Sequence, residues 1–565
     1  MNCRNVTSSA DLAYLCTEAD NESFPAGFEH IDLAEKGLET VPVKLHQHAS
    51  SIVTLNLSKN PLIDIPLDFA QVCSSLRELR LSHVAMKKVA RAIRHIKSLE
   101  WLDISCNRIL ELEQAGLEDI PGLRQIHVQN NRLASLPSTF ALMRSLKFLN
   151  ISNNKFEQIP PVVCDIATLV DLDVSFNSIA ILPPEIGNLA QLERLIIVGN
   201  RLTSFPPECR HLSNLRELDC RRNLITDLAI LSHLPLLESL LAEHNTVHVF
   251  DFTIGPRMRT LVASHNPATK FTLCAPLPDP DVHYGLTLLD LSYMKLSTWD
   301  DDGTVLASFG SLVSLSLNYN KFHTIPDAVC SLSRLEHLSC TNNDLHTLPH
   351  DIGKLSRLRV LTVHNNSIKV LPESIWECGQ LKDLNASSNL LDMWEDPAVL
   401  MCSPVVSSLP SEGIPLDVSE RKGSAAGLSA TSRTIPPLAN SLERLLLADN
   451  HLGTGANGFD IFRVLALMRE LRILNLSFNQ IAELPSLPPH IFAHMQELYL
   501  SGNNLTSLPG EEMVKLSKLK VLHLNGNKLH TLPAELRRIS GLETLDVGNN
   551  LLKYNIANWQ YDWNW

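Results

Sequence analysis

Aromatic residues are scarce in this chain, at 5% of 565 positions, and glycine is used only 23 times. Thick globular cores lean on Phe, Tyr and Trp for volume, so the core here must be assembled from smaller aliphatic side chains. Positive charge is also in short supply. The net charge of −13 argues against wholesale nucleic-acid binding. No apolar run is long enough to span a bilayer, and no charged-then-apolar leader opens the chain. The 12 cysteines are dispersed, and Cys220 and Cys340 stand where other repeats have aliphatic residues. No paired cysteine cluster is present, so a reduced, cytoplasmic protein is predicted.

What is present is a period. Leu123, Ile126, Val128, Asn131 and Leu133 are followed by Leu146, Leu149, Ile151, Asn154 and Phe156. Leu169, Leu172, Val174, Asn177 and Ile179 come next, then Leu192, Leu195, Ile197, Asn200 and Leu202. Each set ends in an apolar–proline step: Leu136-Pro137, Ile159-Pro160, Leu182-Pro183, Phe205-Pro206. In this LxxLxLxxNxL spacing, apolar residues two apart share one face of a short strand. The Asn turns inward, where its amide needs partners for both donors and its acceptor; neighbouring loop backbones supply them. Asn107, Asn131, Asn154, Asn177, Asn200 and Asn223 form the expected ladder. Proline ends strand pairing because it has no N–H.

A constant period of about 23 residues with this spacing resembles the leucine-rich repeat. One such unit cannot bury its own leucines, whereas a stack can. The predicted fold is an α/β leucine-rich-repeat solenoid of about 21 repeats. It would be a horseshoe or arc with a parallel sheet on the concave face and short helices and 3₁₀ turns on the convex face.

Residues 1–27 carry no repeat and read as a lead-in. Repeats run over 28–394, beginning with a degenerate unit in which Lys36 replaces the Asn; Val84 and Met294 are further replacements. The units at Leu237 and Met258 lack the apolar–proline step. A Pro/Asp-rich insertion at 273–285 and the acidic run at 300–303 follow them. Residues 395–440 are rich in Ser, Pro and Gly and read as a flexible insertion loop. Repeats resume in phase over 441–552. The last stretch, 553–565, concentrates Trp559, Trp563 and Trp565, which need something to pack on. It reads as the junction to a downstream domain.

LPxxI-type repeats running into YNIANWQYDWNW resemble the fungal adenylyl cyclases, the multidomain enzymes of Ras–cAMP signalling. The resemblance implies a regulatory, non-catalytic segment bound by a Ras-like small GTPase and by other domains of the same polypeptide. Any placement at the plasma membrane would be peripheral, through the GTPase. It also gives meaning to Ser424, which follows Arg421 and Lys422 at basophilic-kinase spacing and is a candidate phosphosite. The alternative is a free-standing scaffold that assembles a GTPase with a phosphatase.

No catalytic, cofactor or metal site is predicted. Gly453, Gly455 and Gly458 spell GxGxxG, but no βαβ unit surrounds them, so a sharp loop is the better reading. His490 and His494 lack the glutamate of a zinc-protease motif, and His46 and His48 read as surface residues. The variable positions of LxxLxLxx point to solvent, and these carry the partner-binding candidates. They are Trp101, His127 and Phe148, then Arg194, Arg221, Arg222, His244 and His265, then Tyr293 and Tyr319. Arginine and exposed aromatics are the residue types of binding hot spots. An acidic partner surface would be steered to the arginines, unless Arg194 pairs with Glu217 and Arg221 with Glu243 across adjacent strands.

Overall fold

A computed structural model describes residues 4–6, 28–62, 64–274, 284–299, 304–397, 435–453, 460–485 and 494–553. The chain divides into two compact units, Met1–Met294 and Lys295–Trp565. That division lies in the irregular middle of the repeat pattern, where sequence reading placed no boundary.

In the first unit the strands are short and come once per repeat. They run Thr54–Asn56, Glu78–Arg80, Trp101–Asp103, Gln125–His127, Phe148–Asn150, Asp171–Asp173, Arg194–Ile196, Glu217–Asp219, Ser239–Leu241, Thr260–Val262 and Leu288–Asp290. Each pairs in parallel with the next, residue against residue. Phe28–Asp32 precedes them, and Arg4–Val6 adds a further parallel strand to it. Part of the expected lead-in therefore joins the sheet. The second unit repeats the scheme through Ser314–Ser316, His337–Ser339, Val360–Thr362, Asp383–Asn385, Arg444–Leu446, Ile473–Asn475, Glu497–Tyr499, Val521–His523 and Thr544–Asp546.

In the three-residue repeat strands from Thr54–Asn56 to Val521–His523 the middle residue is buried. Leu172 and Val174 are fully buried, as are Leu195, Leu149 and Leu361 to within 1%. Burying one such side chain is worth about 1.5–3 kcal/mol, and stacking repeats is what makes the burial available. Past the apolar–proline step the chain turns into 3₁₀ helices such as Pro184–Asn188, Pro207–His211 and Glu373–Glu377. Proline sits at their first turn or cap, where a missing N–H costs nothing. The units without that step behave differently: Val249–Thr253 and Lys270–Cys274 pair as a separate two-stranded parallel sheet. Their N–H groups are free to pair, and the alternating Phe250, Phe252 and Phe271 are buried beneath them.

The asparagines lock neighbouring repeats together. Asn131 donates from Nδ2 to the carbonyls of Ile104 and Val128, both at 3.0 Å, and its Oδ1 accepts from the Ile109 N–H at 3.0 Å. Asn200 does the same with Val174, Ile197 and Ile179. Asn107, Asn154, Asn177 and Asn223 repeat the pattern in their own places. Where Val84 and Met294 stand in for Asn, the side chains are buried apolar groups instead.

Candidate protein-interaction surface

The residue before each ladder asparagine sets the shape of one edge of the sheet. After the second inward residue the backbone bends into the left-handed region, repeat after repeat. His83, Cys106, Asn130, Asn153, Phe176, Gly199, Arg222, His244, His265 and Tyr293 all have φ between 49° and 67° in the first unit. Tyr319, Asn342, Asn365 and Phe478 do so in the second. Glycine and asparagine take this conformation cheaply; bulky residues do not.

This corrects the sequence-based placement of half the candidates. Arg222, His244, His265, Tyr293 and Tyr319 were expected on the strand face. They stand instead on the turn edge, because the chain has already left the strand at that position. His244 stacks on His265 and His265 on Tyr293, each with ring centroids 4.1 Å apart. Burial holds the His265 imidazole below its usual value, His244 adds to that, and Asp290 opposes it.

Trp101, His127, Phe148 and Arg194 are on strands, as is Arg80. Arg80 lies over the Trp101 ring at 5.0 Å from its centroid. Trp101 meets His127 at 4.9 Å and His127 meets Phe148 at 4.5 Å. These four side chains come from four successive strands and form one continuous run. His127 Nε2 is buried within it and has no hydrogen-bond partner, and neither has Gln129 Oε1 nearby in sequence. Burial holds His127 below its usual value, although Asp103 pulls the other way.

The arginines are mostly engaged. Arg194 sits between Asp171 at 3.4 Å and Glu217 at 3.1 Å, the cross-strand pairing that its position predicts. The Arg221–Glu243 bridge does not form. Arg221 folds back onto Asp219 of its own repeat, with Nε at 2.9 Å from Oδ1 and Nη2 at 2.6 Å from Oδ2. Glu243 Oε2 and Asp171 Oδ1 are buried without partners, and burial raises the pKa of both carboxyls. With Asp173 and Asp290 added, this stretch of strand face is acidic rather than basic. Only Arg222 of the three arginines is exposed with no ion-pair partner among the described residues.

The remaining expectations fall as follows. Ser424, Gly455, Gly458, His490, the stretch 398–434 and the tail from Tyr554 onward lie outside the described residues. Gly453 has φ +93°, and a Cβ there would lie 3.0 Å from the Ile481 backbone, so close packing on the next repeat accounts for it. His46 is 3.4 Å from Asp68, and His494 Nδ1 is 3.3 Å from Lys518 Nζ. Among the described residues no group of three or more His, Cys, Asp or Glu could hold a metal ion. No described helix is long and apolar enough to cross a membrane. Sequence reading missed the exposed cations that follow the ladder asparagines, Arg108, Arg132, Lys155 and Arg201. The recurring Asn-Arg and Asn-Lys pairs were the available signal.

Models of the "Leucine-rich repeat region" and of the "Leucine rich repeat" match residues 113–324 and residues 333–391, 469–529 and 493–552, respectively. The chain belongs to the leucine-rich-repeat family. It corresponds to the repeat region of the fungal adenylate cyclases. It is 48% identical over 95% of its length to the adenylate cyclase of Mycosarcoma maydis, and spans 22% of that protein. To the adenylate cyclase of Schizosaccharomyces pombe it is 30% identical over 83% of its length, spanning 27% of that protein. The chain thus covers well under two thirds of these relatives. Among solved structures, the leucine-rich-repeat protein LIC12759 of Leptospira interrogans superposes with a TM-score of 0.58. The two share 26% identity over 64% of this chain and 90% of that one. In this leucine-rich-repeat region the strand face and its turn edge are the surfaces open to another protein, as the architecture of open stacked repeats provides.

Proposed function

We propose that this chain is the protein-interaction and regulatory segment of an adenylate cyclase in cAMP signalling, and that it binds a Ras-like GTPase on the strand face of its first unit. It does no chemistry itself. Recruitment to a membrane surface is through the GTPase, and coupling to the cyclase works by positioning other domains of the same polypeptide.

The observation that carries this reading is the run Arg80–Trp101–His127–Phe148. It places a large aromatic surface on a rigid sheet, with polar groups left over at His127 and Gln129. Such clusters of aromatic and arginine side chains supply most of the energy at protein interfaces. The partner class comes from the sequence's resemblance to the fungal adenylyl cyclases of Ras–cAMP signalling. The paired state of Arg194 and Arg221 moves the weight of the contact away from those two arginines and onto the aromatic run.

Pull-down of the GTPase in its GTP-loaded and GDP-loaded states tests this. Trp101→Ala with Phe148→Ala is expected to weaken GTP-state binding about tenfold or more. Binding that is equal in wild type and variant, or equal for the two nucleotide states, overturns the reading.

A further inference from the structure

The residue that follows each ladder asparagine lies on the edge where the strands end, and between residues 108 and 224 four of the six such positions are cationic. Arg108, Arg132, Lys155 and Arg201 occupy them, with Ser178 between the last two and Leu224 beyond. Backbone bonds fix them in a row. The N–H of Arg132 donates to the Ile109 carbonyl at 2.9 Å, Lys155 to Leu133 at 2.8 Å, and Arg201 to Ile179 at 2.9 Å. Arg108, Arg132 and Lys155 therefore stack in three consecutive repeats, roughly 4.8 Å apart along the sheet. All four cations are exposed, and none has an ion-pair partner among the described residues. Glu157 is the nearest carboxylate in sequence, two residues beyond Lys155, and pairs with none of them.

Stacked like charges cost stability, and several other charges of the unit are paired with opposite ones instead. On the strand face the signs alternate, Asp171, Arg194, Glu217, and pair. Around the 3₁₀ segments Lys88 meets Glu111 at 3.0 Å, and Arg94 meets Asp119. Nor does the fold demand the row. In the second unit the same position holds Lys321, Asp344, Ser367, Leu390, His451, Gln480, Asn504 and Lys528.

The row is not purely polar. Leu110, Phe176, Ile181 and Leu224 are 58%, 53%, 70% and 48% exposed. Each lies within four residues of a ladder asparagine, among the cations. Phe176 also holds a left-handed backbone at φ 50°, where a small residue would be cheaper. Arg222, exposed and unpaired, extends the edge.

We propose that the edge from Arg108 to Leu224 docks an acidic polypeptide segment. Its carboxylates meet Arg108, Arg132, Lys155 and Arg201, and its intervening apolar side chains cover Leu110, Phe176, Ile181 and Leu224. Five repeat steps make a row of about 24 Å, the length of about seven extended residues. A single chain fits better than an anionic bilayer. The neighbouring strand face carries the half-exposed Asp103 and Asp173, and a flat anionic surface would be repelled by carboxylates within a Debye length of about 10 Å. A narrow segment touches only the row.

The test is fluorescence anisotropy on the whole chain, with a labelled short peptide alternating Glu and Leu as probe. The comparisons are its Gln/Leu counterpart and vesicles of phosphatidylserine and phosphatidylcholine. The Glu peptide is expected to bind saturably and to weaken with salt. Affinity should fall about tenfold in Arg108→Glu/Arg132→Glu/Lys155→Glu and for the Gln peptide, and hold in Lys528→Glu. If the triple variant fails to fold, Arg132→Gln/Lys155→Gln replaces it. Removing the repulsion should leave its Tm at or above wild type while still weakening the peptide about threefold. No binding, equal binding by the variants, or a preference for the vesicles overturns the proposal.

Discussion

Phe176 lies across Gly199, its counterpart in the following repeat. A Cβ on Gly199 would sit 2.7 Å from Phe176 Cδ1, and Gly199 has φ +67°. Phe478 and Gly502 reproduce the arrangement in the second unit. A ring on the turn edge thus needs a hydrogen atom where the next repeat would normally have a side chain.

Gly199→Ala is therefore expected to destabilise by about 1–3 kcal/mol, from left-handed strain and from contact with the ring. Phe176→Ala removes the contact but not the strain. In urea denaturation the double variant should be less destabilised than the sum of the singles. Additivity would mean that the ring moves aside without cost.

Asn200→Leu leaves the carbonyls of Val174 and Ile197 and the N–H of Ile179 without their side-chain partners. At about 1–3 kcal/mol for each unsatisfied buried group, partly relieved by relaxation, a loss of roughly 3 kcal/mol is expected. The midpoint of urea unfolding reports it. Asn153→Leu, at the exposed position before a ladder asparagine, exchanges a side-chain bond to Asn130 for left-handed strain and should cost less.

Arg221 and Arg222 are neighbours in sequence with different duties. The Asp219 side chain is 7% exposed and is neutralised by Arg221. Arg221→Glu should lower stability by about 1–3 kcal/mol. Arg222→Glu should leave it within about 0.5 kcal/mol, because no partner is lost. Thermal melts of the two variants separate these outcomes, and any use of Arg221 as a binding probe needs that control.

His127, His265 and His364 are all held below the usual imidazole value, chiefly by burial. An imidazole with a lowered folded-state pKa binds its proton more weakly when folded. Its contribution to stability is complete above the unfolded value of 6.5 and is lost as pH falls through the folded value. Stability should decline as the pH is taken below 6.5, and His127→Phe should flatten that decline. A variant with an unchanged acid limb would place the titration elsewhere. Asp171 and Glu243 have raised values and the opposite sign, gaining stability as pH falls, so the single substitution isolates the imidazole.

The thiols of Cys73, Cys164, Cys209, Cys340 and Cys378 are pushed up to about 12 by burial. Cys106 is half-exposed on the turn edge, near Asn130 Nδ2 at 3.3 Å. Of these six, Cys106 should be the first to take up a maleimide under native conditions. Peptide mapping by mass spectrometry gives the order.

The period made the fold legible before any coordinates, because Leu149, Ile151 and Asn154 have only one arrangement that shelters all three. The turn edge was not legible in the same way. In sequence, His244 and Tyr293 read as variable, solvent-facing positions of the repeat; the backbone bend after Ala242 and Leu291 is what puts them on the turn edge. Arg221 was visible as an arginine, but its choice of Asp219 over Glu243 depends on side-chain reach within one turn. Arg108, Arg132 and Lys155 were passed over because a position that varies between repeats looks like filler until its neighbours are seen to lack counter-charges.

Asp383, Leu384 and Asn385 pair residue for residue with Arg444, Leu445 and Leu446, and Lys382 Nζ reaches Glu443 Oε1 at 2.8 Å. Adjacency in this molecule is decided by which unit docks next, however many residues the ribosome adds in between. Because each doubling of an intervening stretch adds only about 0.6 kcal/mol of closure entropy, the seam after Trp394 is a place where evolution, or an engineer, can splice in new sequence while the units on either side keep their registration.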